Sequence, residues 1–227
     1  MNRDTYAVVE NYMLSCMRDS AHDKEHIYRV LFNALEIAKA ENEVDYDILI
    51  CSCLLHDIGR KEQYENAAVC HAMVGGEKAY AFLLGQGFDT SFAEQVKLCI
   101  QAHRYRQNRQ PQSIEAKILF DADKLDAAGA TGIARTLLYQ GIVGEPLYTH
   151  LPDGKISDGT QDELPSFFRE YKFKLEKLYD CFCTKRAAEI AEERKSAAAS
   201  FYCNLLNEIT VTYRQGQEYL ADKISGV

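Results

Sequence analysis

Apolar residues recur with a helical period along most of this chain. One face of a predicted helix is formed by Ile27, Val30, Leu31, Ala34 and Ala38. Segment 46–58 is apolar nearly all round, which predicts a buried, central helix. Similar patterns predict helices at about 71–85, 91–103 and 114–139. Because no useful length of chain alternates as a strand does, the expected fold class is all-α.

Capping residues predict where several of these helices begin and end. Asp45 or Asp47 can cap the helix of 46–58, and Gly59 can end it. Ser91 and Glu94 have the spacing of a capping box, which predicts a helix start there.

Residues 140–163 interrupt the helical pattern with six glycine and proline residues: Gly141, Gly144, Pro146, Pro152, Gly154 and Gly159. Loops of this length are usually either functional or disordered, and we favour the first, a lid or wall of the active site. The part that follows is helical and charged on one side. The chain is therefore predicted to be a single domain with a core at 20–140, a loop at 141–163 and C-terminal helices at 164–224.

Charge and cysteine usage narrow the class of protein. The net charge of −8 argues against long nucleic acid as a partner. There is neither a basic start followed by an apolar run nor a stretch near the ~20 apolar residues of a membrane span. Eight cysteines in such a chain indicate reduced thiols and a cytoplasmic protein. Cys51 and Cys53 are expected to be small core residues.

Candidate chemistry is concentrated in three stretches, namely His26, the doublet His56-Asp57 and the acid-rich segment 121–126. Imidazole nitrogen and carboxylate oxygen together suit a divalent transition metal. Such a metal can lower the pKa of bound water and supply hydroxide near neutral pH, so hydrolysis is indicated. The doublet alone has another interpretation, a buried carboxylate that is hydrogen-bonded to its neighbouring histidine.

The carboxylates of the acidic segment 121–126 lie on different faces of the predicted helix. Asp121 shares a face with Lys117 and Lys124, so we expect it to be solvated and ion-paired. Asp123 lies on the semi-apolar side and is the preferred ligand. Asp126 lies one turn later. We expect it to orient a metal-binding side chain or a water molecule by a hydrogen bond, without binding the metal itself.

These residues together resemble the signature of the HD superfamily of metal-dependent phosphohydrolases, which is a His, a His-Asp doublet and a later Asp. The matching positions are His26, His56-Asp57 and Asp123. The stretches 22–30, 54–59, 121–135 and 184–194 are similar to one bacterial branch of uncharacterised or nucleotide-hydrolysing HD proteins. A second doublet, His22-Asp23, lies where a helix cap is expected, as does Ser20, and receives no ligand role.

The resemblance implies a helical HD-domain fold and one divalent ion bound by His26, His56, Asp57 and Asp123. Manganese, iron, cobalt, nickel and zinc all suit this donor set, and magnesium suits it less. Metal-bound hydroxide would attack phosphorus in a small phosphorylated metabolite, first of all a nucleotide.

An anionic substrate also needs cationic side chains. The candidates are Arg60, Lys61 and Lys124, with Arg29, Arg104 and Arg106 as further ones. For each of them the alternative is an ordinary surface charge.

Two more histidines, His71 and His103, match positions that carry extra ligands in two-metal HD proteins. Three roles stay open for them: ligands to a second metal, general acid, or phosphate binding as imidazolium. A full set of extra ligands would also suit an HD-type di-iron oxygenase, the alternative function. A regulatory module without catalysis is a third hypothesis. The final helices could pack on the same domain or form a homodimer.

Overall fold

The computed structural model describes residues 1–17, 24–104 and 110–224. Within these ranges the chain is helical and contains no β-strand, apart from one isolated bridge between His150 and Ile156. The all-α prediction is therefore confirmed. Ser20, the doublet His22-Asp23 and Arg106 lie outside the described residues.

The α-helices in chain order are α1 (Arg3–Cys16), α2 (Lys24–Ala38), α3 (Tyr46–Leu55), α4 (Arg60–Glu65), α5 (His71–Gly85), α6 (Thr90–Ala102), α7 (Ile114–Leu125), α8 (Gly129–Val143), α9 (Phe167–Glu170) and α10 (Lys185–Ile224). A short π-helix (Tyr171–Leu175) and a 3₁₀ turn (Leu178–Asp180) lie between α9 and α10. The chain divides into two compact units. The first is Met1–Asp126 with Phe182–Ala188, and the second is Ala127–Cys181 with Glu189–Val227.

Helix α3 is the centre of the first unit and packs against α1, α2, α5, α6 and α7. Asp45 caps its first turn by accepting hydrogen bonds from the backbone of Asp47 and Ile48. Cys51 and Cys53 are fully buried, as predicted for core residues. Because a helix that is apolar on every side must be covered on every side, its sequence pattern predicts this central position.

Aromatic side chains form the core of the second unit. Phe167 and Phe168 are fully buried, and the ring of Tyr171 stacks on Tyr202 with centroids 4.1 Å apart. Helix α8 continues to Val143, so it includes the start of the predicted loop. The lid or wall role of residues 141–163 and the subdivision of the chain drawn from the sequence stay predictions.

Several helix boundaries predicted from the sequence are wrong, among them the end of the helix of 46–58, which the structure places at Leu55. The helix expected at 114–139 is interrupted after Leu125, and α8 begins at Gly129. Gly129 adopts a φ of 64°, which a residue with a side chain rarely does, so glycine is favoured at the start of α8. Helix α6 begins at Thr90 with Asp89 as its cap, because the Asp89 carboxylate accepts from the backbone of Phe92. The capping box at Ser91 is therefore not used.

Among the described helices, none combines the length and the apolar character that a membrane crossing requires.

Candidate metal centre

The His56-Asp57 doublet lies immediately after helix α3. The helix ends at Leu55, and His56 is its C-cap. Neighbouring residues inside a helix diverge by roughly 100°, but past the helix end the two side chains can converge. His56 Nε2 and Asp57 Oδ2 are 3.7 Å apart, and both side chains are almost completely buried.

Helices α2 and α7 bring two more side chains to the doublet. His26 Nε2 lies 3.4 Å from His56 Nε2, 3.6 Å from Asp57 Oδ2 and 3.3 Å from Asp123 Oδ1. His56 Nε2 and Asp123 Oδ1 are 3.9 Å apart. We call these four side chains the first cluster: His26, His56, Asp57 and Asp123.

The spacing of the first cluster fits a bound divalent ion. Metal–nitrogen and metal–oxygen bonds of about 2.0–2.2 Å place neighbouring ligand atoms about 3.0–3.6 Å apart in octahedral or tetrahedral geometry. Most of the distances in the cluster fall in that range, and the longest requires only a small inward shift. Of these four side chains, Asp123 has the largest exposed fraction, at 26%, so the cluster is open to solvent at this carboxylate.

A second cluster is formed by Asp57, His71 and His103. Asp57 Oδ1 lies 3.4 Å from His71 Nε2 and 3.7 Å from His103 Nε2, and the two imidazole nitrogens are 3.2 Å apart. Both histidines are buried, so neither is a surface side chain. The carboxylate of Asp57 thus presents Oδ2 to the first cluster and Oδ1 to the second.

All four imidazoles are oriented in the same way, with Nδ1 bonded to an oxygen acceptor behind the ring. The acceptor is Asp126 for His26 at 2.7 Å and the Cys53 carbonyl for His56 at 2.8 Å. It is Gln63 Oε1 for His71 at 2.7 Å and the Ile100 carbonyl for His103 at 2.6 Å. Because Nδ1 carries the proton that these acceptors need, Nε2 is the atom left to bind a metal.

Two of these acceptors come from side chains. Asp126 occupies the orienting position that its spacing predicted, and it also accepts two hydrogen bonds from Arg29 at 2.7 and 3.1 Å. Arg29 is therefore tied to this carboxylate in the structure. Nothing in the sequence indicated the role of Gln63, since a single glutamine eight residues before a histidine is not a recognisable signal.

The predicted environment of Asp121 is wrong. Its side chain is fully buried and accepts hydrogen bonds from the Cys183 backbone and from the backbone and hydroxyl of Thr184. These residues lead into helix α10, which begins at Lys185. Asp121 is thus a capping side chain for the segment that enters α10. The i+3 and i−4 lysines misled the prediction because they describe one helix and not its tertiary neighbours.

The three cations predicted to bind substrate have different surroundings. Arg60 Nε donates a hydrogen bond to Asp57 Oδ1 at 2.9 Å. Lys61 is exposed. Lys124 Nζ lies 4.1 Å from the centroid of the Phe120 ring and 5.7 Å from that of Phe182.

Burial and neighbouring carboxylates give the histidines different protonation states. Burial lowers the pKa of His26, but Asp123, Asp126 and Asp57 outweigh this effect and raise that pKa to about 10. Burial lowers the pKa of His56 to about 4. Burial, helped by the nearby cation of Arg60, lowers the pKa of His71 to about 3. A neutral His71 does not suit phosphate binding as imidazolium, one of the three roles left open.

Metal binding at pH 7 is expected to release about one proton per ion. His26 is protonated below its pKa of about 10, whereas a metal ligand must be neutral. Affinity should therefore rise by about tenfold per pH unit between pH 6 and 8. Calorimetric titration of Mn²⁺ in buffers of different ionisation enthalpy measures the proton count. A count of zero at pH 7 would contradict a protonated His26 in the metal-free protein.

Gly59 allows the start of α5 to approach the doublet. A Cβ atom at this position would lie 2.3 Å from the His71 carbonyl oxygen and 2.7 Å from the Gly75 nitrogen. Since both atoms belong to the backbone, Gly59→Ala is expected to displace α5 and with it His71, at a cost of about 1–3 kcal/mol. Thermal unfolding measures the loss. Gly85→Ala is the matched control, because a Cβ there meets nothing within 4 Å, and its Tm should not fall.

Similarity to known proteins assigns this chain to a family. The HD domain family matches residues 24–128 of this chain. The uncharacterised protein YpgQ of Bacillus subtilis (strain 168) is 30% identical over 207 residues, which cover 88% of this chain and 92% of YpgQ. The chain therefore belongs to the HD superfamily, and its fold is that of the superfamily's hydrolases.

Solved structures agree with this assignment. The crystal structure of Bacillus subtilis YpgQ in complex with ADP is 28% identical, has a TM-score of 0.70 and covers 90% of this chain and 97% of its own. A predicted HD superfamily hydrolase from an uncultured Thermotogales bacterium is 32% identical with a TM-score of 0.58, covering 91% of each chain. An HD-superfamily hydrolase from Bacillus thuringiensis is 27% identical with a TM-score of 0.69, covering 91% of this chain and 97% of its own.

Proposed function

We propose that this protein is a divalent-metal-dependent phosphohydrolase acting on a small phosphorylated metabolite, in the first place a nucleotide. The observation that carries the proposal is the first cluster, in which two imidazole nitrogens and two carboxylate oxygens lie at ligand spacing. Such a donor set suits manganese, iron, cobalt, nickel or zinc better than magnesium. Bound there, the ion would lower the pKa of a water ligand and neutralise charge on a phosphoryl oxygen.

The residues around the first cluster have different proposed roles. Asp126 orients His26, and the Cys53 carbonyl orients His56, so both Nε2 atoms point to one place. Asp123 is the partly exposed ligand, and substrate would approach from its side. Lys124, the next residue, and the cations Arg60 and Lys61 are the proposed contacts to substrate phosphate.

A nucleotide is the preferred substrate class for two reasons. The resemblance to nucleotide-hydrolysing HD proteins indicated it, and the related protein YpgQ has been crystallised with ADP. The net charge of −8 supports a small substrate over a long nucleic acid. That the protein is cytoplasmic and that it forms a homodimer through its final helices remain predictions.

The second cluster favours one alternative function. Asp57, His71 and His103 provide three further ligand atoms, and a metal at each cluster would give the two-metal arrangement that an HD-type di-iron oxygenase requires. We keep the oxygenase as the second candidate. His71 and His103 are proposed as ligands of a second ion in either case.

Metal analysis and product assays together test the proposal. The pure protein is analysed for metal, stripped with chelator, reloaded with Mn²⁺ and assayed for phosphate and pyrophosphate release from a panel of nucleotides. We expect release from at least one nucleotide, lost with chelator and unaffected by Gly85→Ala, where an added Cβ meets nothing within 4 Å. Two irons per chain, oxygen uptake and no release from any nucleotide would favour the oxygenase instead.

A further inference from the structure

The geometry points to a regulatory role for Arg60 in metal occupancy: its guanidinium holds the Asp57 oxygen that the second cluster needs, and thereby keeps the affinity of that cluster for a divalent cation low. This inference rests on the proposed metal-dependent function. It concerns how many ions the protein holds rather than which residues could hold them.

Arg60 and the second cluster share one oxygen atom of Asp57, Oδ1. Arg60 Nε lies 2.9 Å from Asp57 Oδ1, nearer than either histidine of the second cluster, at 3.4 and 3.7 Å. Asp57 Oδ1 is the sole carboxylate oxygen within that cluster of three. A metal ion must therefore share this oxygen with a guanidinium hydrogen bond, whereas Asp57 Oδ2 faces the first cluster without such a competitor among the contacts of the described residues.

The charges around the two clusters also favour a divalent cation at the first cluster over the second. At the first cluster, Asp123 and Asp126 add two carboxylates to Asp57, and Arg29 is paired with Asp126. A dication placed there is neutralised by its surroundings.

At the second cluster no further carboxylate accompanies Asp57 within the group of ligands. The guanidinium of Arg60 brings a positive charge to this cluster, with its Nε 2.9 Å from Asp57 Oδ1. An added dication would meet this positive charge with only a shared carboxylate to balance it.

The acceptors behind the imidazoles add to this difference. His26 donates to a carboxylate, that of Asp126, which makes its ring a stronger ligand. His71 donates to the neutral amide of Gln63, and His103 to a backbone carbonyl. The expected result is one tightly held ion at the first cluster and a weak second position, with Arg60 as the removable cause of the weakness.

Titration of the chelator-stripped protein with Mn²⁺ tests this role. Calorimetry counts the ions and measures both affinities, and elemental analysis after desalting checks the stoichiometry. In Arg60→Gln we expect the second ion to bind at least about tenfold more tightly than in the unmodified protein. The first affinity should change much less. If Arg60→Gln is unstable, Arg60→Met replaces it, because methionine keeps the aliphatic part of the side chain. Arg60→Lys keeps the positive charge, so it should leave the affinity of the second cluster low.

Two controls locate the effect. Lys61→Gln removes the same charge from the adjacent exposed residue, and His71→Ala in the Arg60→Gln background should remove the second ion while the first is kept. An unchanged or weaker second affinity in Arg60→Gln and Arg60→Met would overturn the inference, as would an equal gain in Lys61→Gln. Absence of any tight ion in the unmodified protein would instead refute the proposed function itself, so the two failures are distinguishable.

Discussion

Asp57→Asn is expected to abolish binding of divalent metal at both clusters and, with it, turnover. The carboxylate presents one oxygen to His26 and His56 and the other to His71 and His103. An amide keeps the shape but offers one weak oxygen donor and no charge. Loss of a group that only orients a ligand already costs about 10- to 100-fold in affinity or activity, so loss of a shared ligand should exceed that.

Single-histidine variants make this prediction specific to each cluster. His56→Ala should remove the ion of the first cluster and all activity. His71→Ala should affect the second cluster alone, because its Nε2 contacts Asp57 Oδ1 and His103. Elemental analysis and calorimetry measure the ions, and circular dichroism checks that the helices persist. Full metal content and full turnover in Asp57→Asn would refute the site.

The pair Asp123→Asn and Asp121→Asn is expected to separate metal binding from fold stability. Asp123 Oδ1 faces the two imidazoles of the first cluster, so Asp123→Asn should lower metal affinity by at least about 100-fold. Asp121 instead accepts hydrogen bonds from Cys183 and Thr184. Its amide variant should lower the free energy of unfolding by about 1–3 kcal/mol and leave metal affinity nearly unchanged.

The two variants serve as controls for each other, since both change an aspartate of helix α7 in the same way. Calorimetric titration with Mn²⁺ measures the affinity, and urea unfolding of the metal-free proteins measures the stability. A larger loss of metal affinity in Asp121→Asn than in Asp123→Asn would show that the wrong carboxylate has been chosen.

The sequence alone determined the fold class, the family and the side chains that meet at the two clusters. Helical periodicity identified the central helix, since a segment that is apolar on all sides, such as 46–58, must be enclosed. The doublet at His56 and the later Asp123 carried the resemblance to the HD superfamily, which the family match at residues 24–128 confirms. The periodic pattern could not locate the break after Leu125, because both sides of it are helical.

Only the tertiary structure decided what each charged side chain contacts. Asp121 and Asp123 are two residues apart in one helix, yet one caps the entry to α10 and the other faces His26. Likewise, Arg60 is bonded to Asp57 rather than free at the surface. Sequence periodicity determines which face of a helix a side chain occupies. Which partner that face meets depends on contacts between residues as far apart as His26 and Asp126, and these form only when the helices pack.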